Sequence, residues 1–369
     1  MSALRITAVE LFRAAIPMVA PFRIALGTVS QADYLFVRID TDAGVSGWGE
    51  ATPFSMITGD TQGTNLAAAV DLARLLLGED PLDIEGRVDD MRRFLAFNSS
   101  ARSAFDMALH DVAGKVAGLP LYALLGGSRR ALATDRTIGL AAPERMAEQA
   151  LELARSGVPA IKVKLGTTAR EDVSRVDRIR AAIGGELPLR VDANQGWDFP
   201  TAVGVLTRLE SSGIEYCEQP VARWDHDSLR RLRQRVSVPI MADESLFDHH
   251  DAFELLAGDC CDYLNIKLAK SGGIHTALQV NAVAEARGIA CMLGCMMETR
   301  LGLTAAAHLA SARRNVRYAD LDGHYQLAED PIGGGARWDA GTITLPDAPG
   351  IGAEVDPGFL ARCERTRIA

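Results

Sequence analysis

Between residues 160 and 270 the chain repeats one unit. Five short islands, IKVKLG, RVDANQGW, YCEQP, MADES and NIKLAK, each carry a charged residue near the end of a strand-like run. Those residues are Lys164, Asp192, Glu218, Asp243 and Lys267, spaced 28, 26, 25 and 24 positions apart. That period suits one strand, a loop, one helix and a second loop. Strands joined by helices run parallel, because each helix returns the chain to the edge it left. A parallel sheet must be covered by those helices, so the repeat restricts the chain to an α/β architecture.

From about residue 131 eight apolar runs keep the rhythm: TDRTIGL, AIKVKLG, LRVDANQ, IEYCEQP, PIMADES, YLNIKLA, ACMLGCM and RYADLDG. About seven helices fall between them, and no regular eighth. Eight strands predict a modified (β/α)8 (TIM-type) barrel over residues 126–325, with the charged residues at the strand ends that carry its active site. Residues 1–125 read as an α+β capping domain: ALRITAVELFRAAI and DYLFVRIDTDAGVSGWGEA alternate as antiparallel strands, and 64–95 and 99–118 are predicted helices. The segment 326–369, which includes GTITLPDAPGIGAEVD, is expected to return to the capping domain and complete it.

Composition narrows the function. A net charge of −9 with acids and bases interspersed argues against nucleic acid as a partner. No stretch is long and uncharged enough to span a membrane, and the N-terminus lacks a signal-peptide pattern. The six cysteines, Cys217, Cys260, Cys261, Cys291, Cys295 and Cys363, form no metal-binding or redox spacing, so a reducing, cytoplasmic location is expected.

Asp192, Glu218 and Asp243 come from three consecutive strands. One acid in such a place is as readily a helix cap; three in register predict a site for a hard divalent cation, Mg²⁺ with Mn²⁺ as the other fit. Asn194 falls two residues past Asp192 and is placed on the same face if the strand continues, and Glu244 beside Asp243 is read as supporting it. Lys162 and Lys164 share one strand face, and two neighbouring ammonium groups are expected to lower the pKa of one, suiting a general base. Lys267 stands across the barrel, so two amines flank whatever the metal holds.

Together KVK, DANQGW, EQP, ADES and NIKLAKSGGI resemble the enolase superfamily, in its muconate-lactonizing subgroup, over nearly the whole chain. The resemblance implies proton abstraction beside a carboxylate with Mg²⁺ stabilising an enediolate. It makes Lys164 and Lys267 the acid/base pair, with Lys162 tuning Lys164, and Asp192, Glu218 and Asp243 the metal ligands. Asp320-Leu321-Asp322 is similar to the DxD of dipeptide epimerases, where it holds the substrate's α-ammonium group. Thr137, Met296, Met297 and Glu298 match substrate-contacting positions, and Ile57–Asp60 resembles a capping-loop segment of the same enzymes. One departure stands out: Gly27 falls where Ala-Glu-specific members carry arginine, which opens the C-terminal position to uncharged residues. The expected activity is 1,1-proton transfer on a dipeptide by an isomerase that forms a homo-oligomer. The rivals are an N-acylamino acid racemase, an o-succinylbenzoate synthase or a muconate cycloisomerase, and, further off, a non-catalytic binder.

Overall fold

In the computed structural model, which describes residues 4–369, Ile6–Ile24 and Gly27–Thr41 form a long antiparallel hairpin, and Ser46–Ala51 adds a third strand. Strand alternation assigns its faces. Leu35, Val37 and Ile39 pack with Leu72, Leu76 and Phe105, while Tyr34 and Phe36 join the core shared with the barrel. The predicted helix 64–95 is two helices, Gln62–Leu76 and Ile84–Phe94, because Gly78 to Pro81 interrupts it. The next helix, Ser99–Ala117, lies where expected.

The returning tail differs in detail. The strand that joins the first sheet is Glu364–Ile368, paired antiparallel along Val9–Arg13. Thr342–Thr344, in the stretch expected to return, pairs instead with Leu132–Ala133 and Arg337–Asp339. Gly350 and Ile351 do dock on the capping helix, where the buried Asp111 carboxylate accepts from Ile351 N at 2.7 Å and from Trp48 N at 2.9 Å.

All eight predicted barrel strands are present: Arg136–Ile138, Ile161–Lys164, Leu189–Asp192, Ile214–Glu218, Ile240–Ala242, Tyr263–Ile266, Ala290–Gly294 and Val316–Asp320. They form one parallel sheet in chain order. The last and first strands are joined by isolated bonds, such as Leu321 N to Thr134 Oγ1 at 2.8 Å, so the barrel is nearly closed. Seven helices follow the first seven strands. A 3₁₀ turn, Gly323–Gln326, follows the eighth, after which Ala328 N bonds Pro17 O of the hairpin. A short helix, Leu268–Ser271, begins directly after the sixth strand and was not anticipated.

Period two explains the interior. Tyr216, Met241 and Met292, with Tyr263 and Tyr318, plug the barrel, and the Arg190 guanidinium lies over two of the tyrosine rings. Two positions further along the same strands stand Asp192, Glu218, Asp243, Asn265, Gly294 and Asp320. The ladder sets Lys164 opposite Asp192 and Asp192 opposite Glu218, so the charged groups form one row at the strands' C-terminal ends. Gly294 is needed in that row: a Cβ there would lie 2.5 Å from Asn265 Oδ1.

Candidate active site

The row becomes a cluster through side-chain contacts. Lys164 Nζ lies 2.6 Å from Asp192 Oδ2, and Lys267 Nζ lies 2.8 Å from Asp243 Oδ2. Lys162 Nζ reaches Asp320 Oδ2 at 2.6 Å, Glu218 Oε2 at 2.7 Å and Asp192 Oδ2 at 3.2 Å. Lys270 bonds Asp243 through both its carboxylate and its carbonyl oxygen. Asn265 Nδ2 donates to Glu218 Oε1 at 2.9 Å and orients it. Lys270 and Asn265 were missed in the sequence although both sit in the island NIKLAK. Asn265 was legible there, since it precedes Lys267 by two on the same strand face.

Charge balance in this cluster favours a divalent cation. Six buried carboxylates, Asp192, Glu218, Asp243, Glu244, Asp320 and Asp322, face four buried ammonium groups, Lys162, Lys164, Lys267 and Lys270. The shortfall is two positive charges. It shows on Glu218, whose carboxyl is pushed up to about 8 by burial and by the Asp192 charge, and on Glu244, pushed up to about 7 by burial and by Asp243. Burial also works against Asp243, but Lys267 and Lys270 outweigh it and hold that carboxyl far below the usual range. Glu218 Oε2 accepts no hydrogen bond; the nearby Lys162 ammonium lies off its bonding direction. Three buried carboxylates offer an all-oxygen donor set of the kind Mg²⁺ or Mn²⁺ takes, with Glu218 Oε2 approached only by the Lys162 ammonium, and their oxygens do not all lie within 4.8 Å of one another.

Three expected placements are revised. The third strand ends at Asp192, and Asn194 takes a left-handed turn at φ 40°; it reaches the site by donating its backbone N–H to Asp192 Oδ1 and its amide to Glu244 Oε1. Lys162 is fully buried among carboxylates. Burial opposes its charge, but Asp320, Glu218 and Asp192 hold the ammonium well above its ordinary range, so it acts as a fixed cation under the row and does not line the open chamber. Glu298 turns back to accept from Met296 N and faces Glu50, away from that chamber. Its carboxyl is pushed up to about 7 by burial and by Glu50.

The chamber above the row, about 40 Å³, is lined by Lys164, Thr137, Met296, Met297, Asp320 and Asp322, with Phe22, Cys295 and Gln326, which the sequence did not single out. Thr137 N donates to Asp322 Oδ2 at 2.7 Å. Ligand atoms of Asp320, Asp322 and Cys295 lie within 4.8 Å of one another, the only such three-residue group among the described residues. Burial and the Asp320 charge push the Asp322 carboxyl up to about 6, against the lowering effect of Arg136 and Lys162. Gly27 lies near the hairpin tip at φ 156°, and a Cβ there would meet Met56 Sδ at 3.0 Å. A larger cavity, about 740 Å³, opens between Ser55–Gly59 and the loops after the fourth to sixth strands; it reaches the row only through Lys270. Ile57 to Gly59 of the expected capping loop line that cavity, and Asp60 is buried beside it.

Comparison with known proteins places the chain. Residues 6–126 match the mandelate racemase / muconate lactonizing enzyme N-terminal domain, and residues 145–359 match the enolase C-terminal domain-like family. The L-Ala-D/L-Glu epimerase of Bacillus subtilis is 41% identical over 95% of this chain and 96% of that protein. The hydrophobic dipeptide epimerase of Enterococcus faecalis is 43% identical over 90% of this chain and 94% of its own. A dipeptide epimerase from Cytophaga hutchinsonii, solved in complex with Mg and D-Ala-L-Val, superposes with a TM-score of 0.97 at 39% identity, covering 99% of this chain and all of that one. The chain belongs to the mandelate racemase / muconate lactonizing enzyme family of the enolase superfamily.

Proposed function

We propose that the protein is an Mg²⁺-dependent dipeptide epimerase, an isomerase that inverts the α-carbon of the C-terminal residue of a dipeptide. The observation that carries this reading is a carboxylate row flanked by Lys164 and Lys267 that continues, through Asp320, into a pocket formed with Asp322 and Cys295. Dipeptide epimerases among its relatives support the same assignment.

Asp192, Glu218 and Asp243 would hold the cation, which when bound polarises the substrate carboxylate and acidifies the adjacent C–H. Asn265, the Asn194 backbone and Lys270 fix those carboxylates in place. Lys164, at the end of the second of eight strands, and Lys267, directly after the sixth, address the α-carbon from two sides. One Nζ removes the proton and the other delivers one to the opposite face. Two bases are needed because a single base returns the proton to the face it left. Asp320 and Asp322 receive the free ammonium of the N-terminal residue, with Thr137 holding Asp322. An N-acyl or muconate substrate offers no cation to those carboxylates, and its own negative charge would be repelled there.

The experiment is incubation of L,L-dipeptides with the enzyme and Mg²⁺ in D₂O. Deuterium is expected at the C-terminal α-carbon together with the second diastereomer. Absence of exchange across a broad library, with exchange of N-succinylamino acids instead, contradicts the reading.

A further inference from the structure

Buried polar side-chain atoms without a hydrogen-bond partner concentrate in two places. Asn194 Oδ1, Glu218 Oε2, Glu244 Oε2 and Asn265 Oδ1 belong to the carboxylate row, where a cation is expected. Arg102 Nε, His249 Nδ1 and Ser271 Oγ belong to residues that line the cavity of about 740 Å³ beneath Ser55–Gly59. We propose that this cavity binds a small phosphorylated ligand, its phosphoryl group held by Arg102, Arg223 and Ser271 at the start of the helix Ser99–Ala117. The inference goes beyond dipeptide epimerisation and does not depend on it.

The helix supplies a first positive pole. Asn98 and Ser99 at its start line the cavity, Asn98 makes no side-chain cap bond, and the first turn holds no acid. A helix of 19 residues presents unpaired N–H groups and a partial positive charge at that end. Ser100 N is the one amide there that faces a carboxyl, that of Asp60. Arg102 stands one turn into the same helix. Its guanidinium packs over Gly272, where a Cβ would lie 3.7 Å from Cζ and from Nη2. Gly272 turns at φ 76°, which sets the buried Ser271 beside that guanidinium.

The cavity's acids are engaged elsewhere. Asp248 Oδ1 accepts from His250 N at 2.8 Å and Asp251 N at 3.2 Å, and Asp251 Oδ2 accepts from Phe247 N at 2.7 Å and Asp248 N at 3.2 Å. Among the described residues neither Arg102 nor Arg223 forms an ion pair, and Arg223 lies 6.0 Å from the Phe247 ring centre. Burial and the Arg92 charge pull the Arg102 guanidinium down, against the more distant Asp248 and Asp60, so an anion beside it relieves the cost. A phosphate ester offers three terminal oxygens to two guanidinium forks, a hydroxyl and helix amides, where a carboxylate offers two. The remaining volume suits the rest of a small ligand. Lys270 is the wall shared with the carboxylate row, and its ammonium is bonded to Asp243, so the phosphoryl site adjoins the metal ligands without using them.

The test is calorimetric titration of the Mg²⁺-loaded protein with inorganic phosphate at fixed ionic strength, with acetate for comparison, in wild type, Arg102→Gln and Arg223→Gln. Wild type is expected to bind one phosphate saturably and at least about 10-fold more tightly than acetate. Each variant is expected to weaken phosphate by about 10- to 100-fold, the loss of one charge-assisted contact, and to leave turnover measured without phosphate near wild type. The two arginines sit on different domains, so a variant that fails to fold leaves the other to decide. No saturable phosphate binding overturns the proposal, as does acetate binding equally well. Folded Arg102→Gln and Arg223→Gln that bind phosphate like wild type overturn it too. Phosphate that gives up Asp243→Asn but tolerates both arginine variants would sit in the carboxylate row, which also overturns it.

Discussion

Asp320 and Asp322 look equivalent as a motif, yet the structure gives them different partners. Asp320 is bonded to the buried Lys162 ammonium, whereas Asp322 bonds the Thr137 backbone and has Arg136 only at 3.8 Å. Asp320→Asn is therefore expected to cost about 1–3 kcal/mol of stability, measured by urea unfolding, because it weakens a buried charged network. Asp322→Asn is expected to stay folded and to lower dipeptide kcat/KM about 100-fold through loss of the ammonium contact. Glu298 makes a second residue-level case. Its folded pKa of about 7 lies above its ordinary value, so the folded state keeps a proton that the unfolded chain releases between about 4.5 and 7. Its contribution is unpenalised at low pH and is lost as pH rises through that window. Glu298→Gln should then stabilise the protein by about 3 kcal/mol at pH 8 and by almost nothing at pH 4.5, read from urea midpoints at the two pH values. A fall in dipeptide kcat/KM at unchanged stability would instead put Glu298 against the substrate. The sequence reading carried strand alternation past the strand end for Asn194 and placed Glu298 against the substrate on the resemblance alone. It failed there because the backbone turns: Asn194 has φ 40°, and Glu298 bonds the amide of Met296 two residues behind it.

At the level of elements, the eight barrel strands and the missing eighth helix were legible because apolar runs and helices alternate with a steady period. Lys164, Asp192, Glu218, Asp243 and Lys267 followed from that alternation, since strand ends in such a barrel open onto one mouth. The partner of the first strand was not legible. Glu364–Ile368, ERTRI, is polar and partly exposed, so no apolar alternation marks it, and its pairing with residues 9–13 is set by a chain separation that no local pattern records. The loop at Gly350 is held instead by Asp111, which ties it to the capping helix and to Trp48. Asp111→Ala would strand two buried N–H groups and the Lys115 ammonium, which lies 2.8 Å from it. A loss of about 3 kcal/mol in thermal or urea unfolding is expected, with easier proteolysis of the C-terminal segment. Unchanged stability would mean that the tail is held by other contacts.

Across the whole molecule, the capping domain and barrel meet where the chemistry is placed. The hairpin contributes Phe22 to the chamber, and the buried Glu50 of the first sheet accepts from Thr299 N and Gly302 N behind the seventh strand. Six carboxylates against four ammonium groups leave this junction short of positive charge. Mg²⁺ is therefore expected to raise the unfolding temperature in proportion to the logarithm of its concentration, as ligand linkage requires, and Asp243→Asn should abolish most of that rise. The central claim is that Lys164 and Lys267 act from opposite faces of one α-carbon. The direct test is α-hydrogen exchange in D₂O by Lys164→Met and Lys267→Met with each diastereomer of one dipeptide. Both variants should lose epimerisation by about 10²- to 10⁴-fold. Each should exchange deuterium into only one diastereomer, and the two variants should choose opposite ones. Exchange into both diastereomers by either single variant would contradict the account.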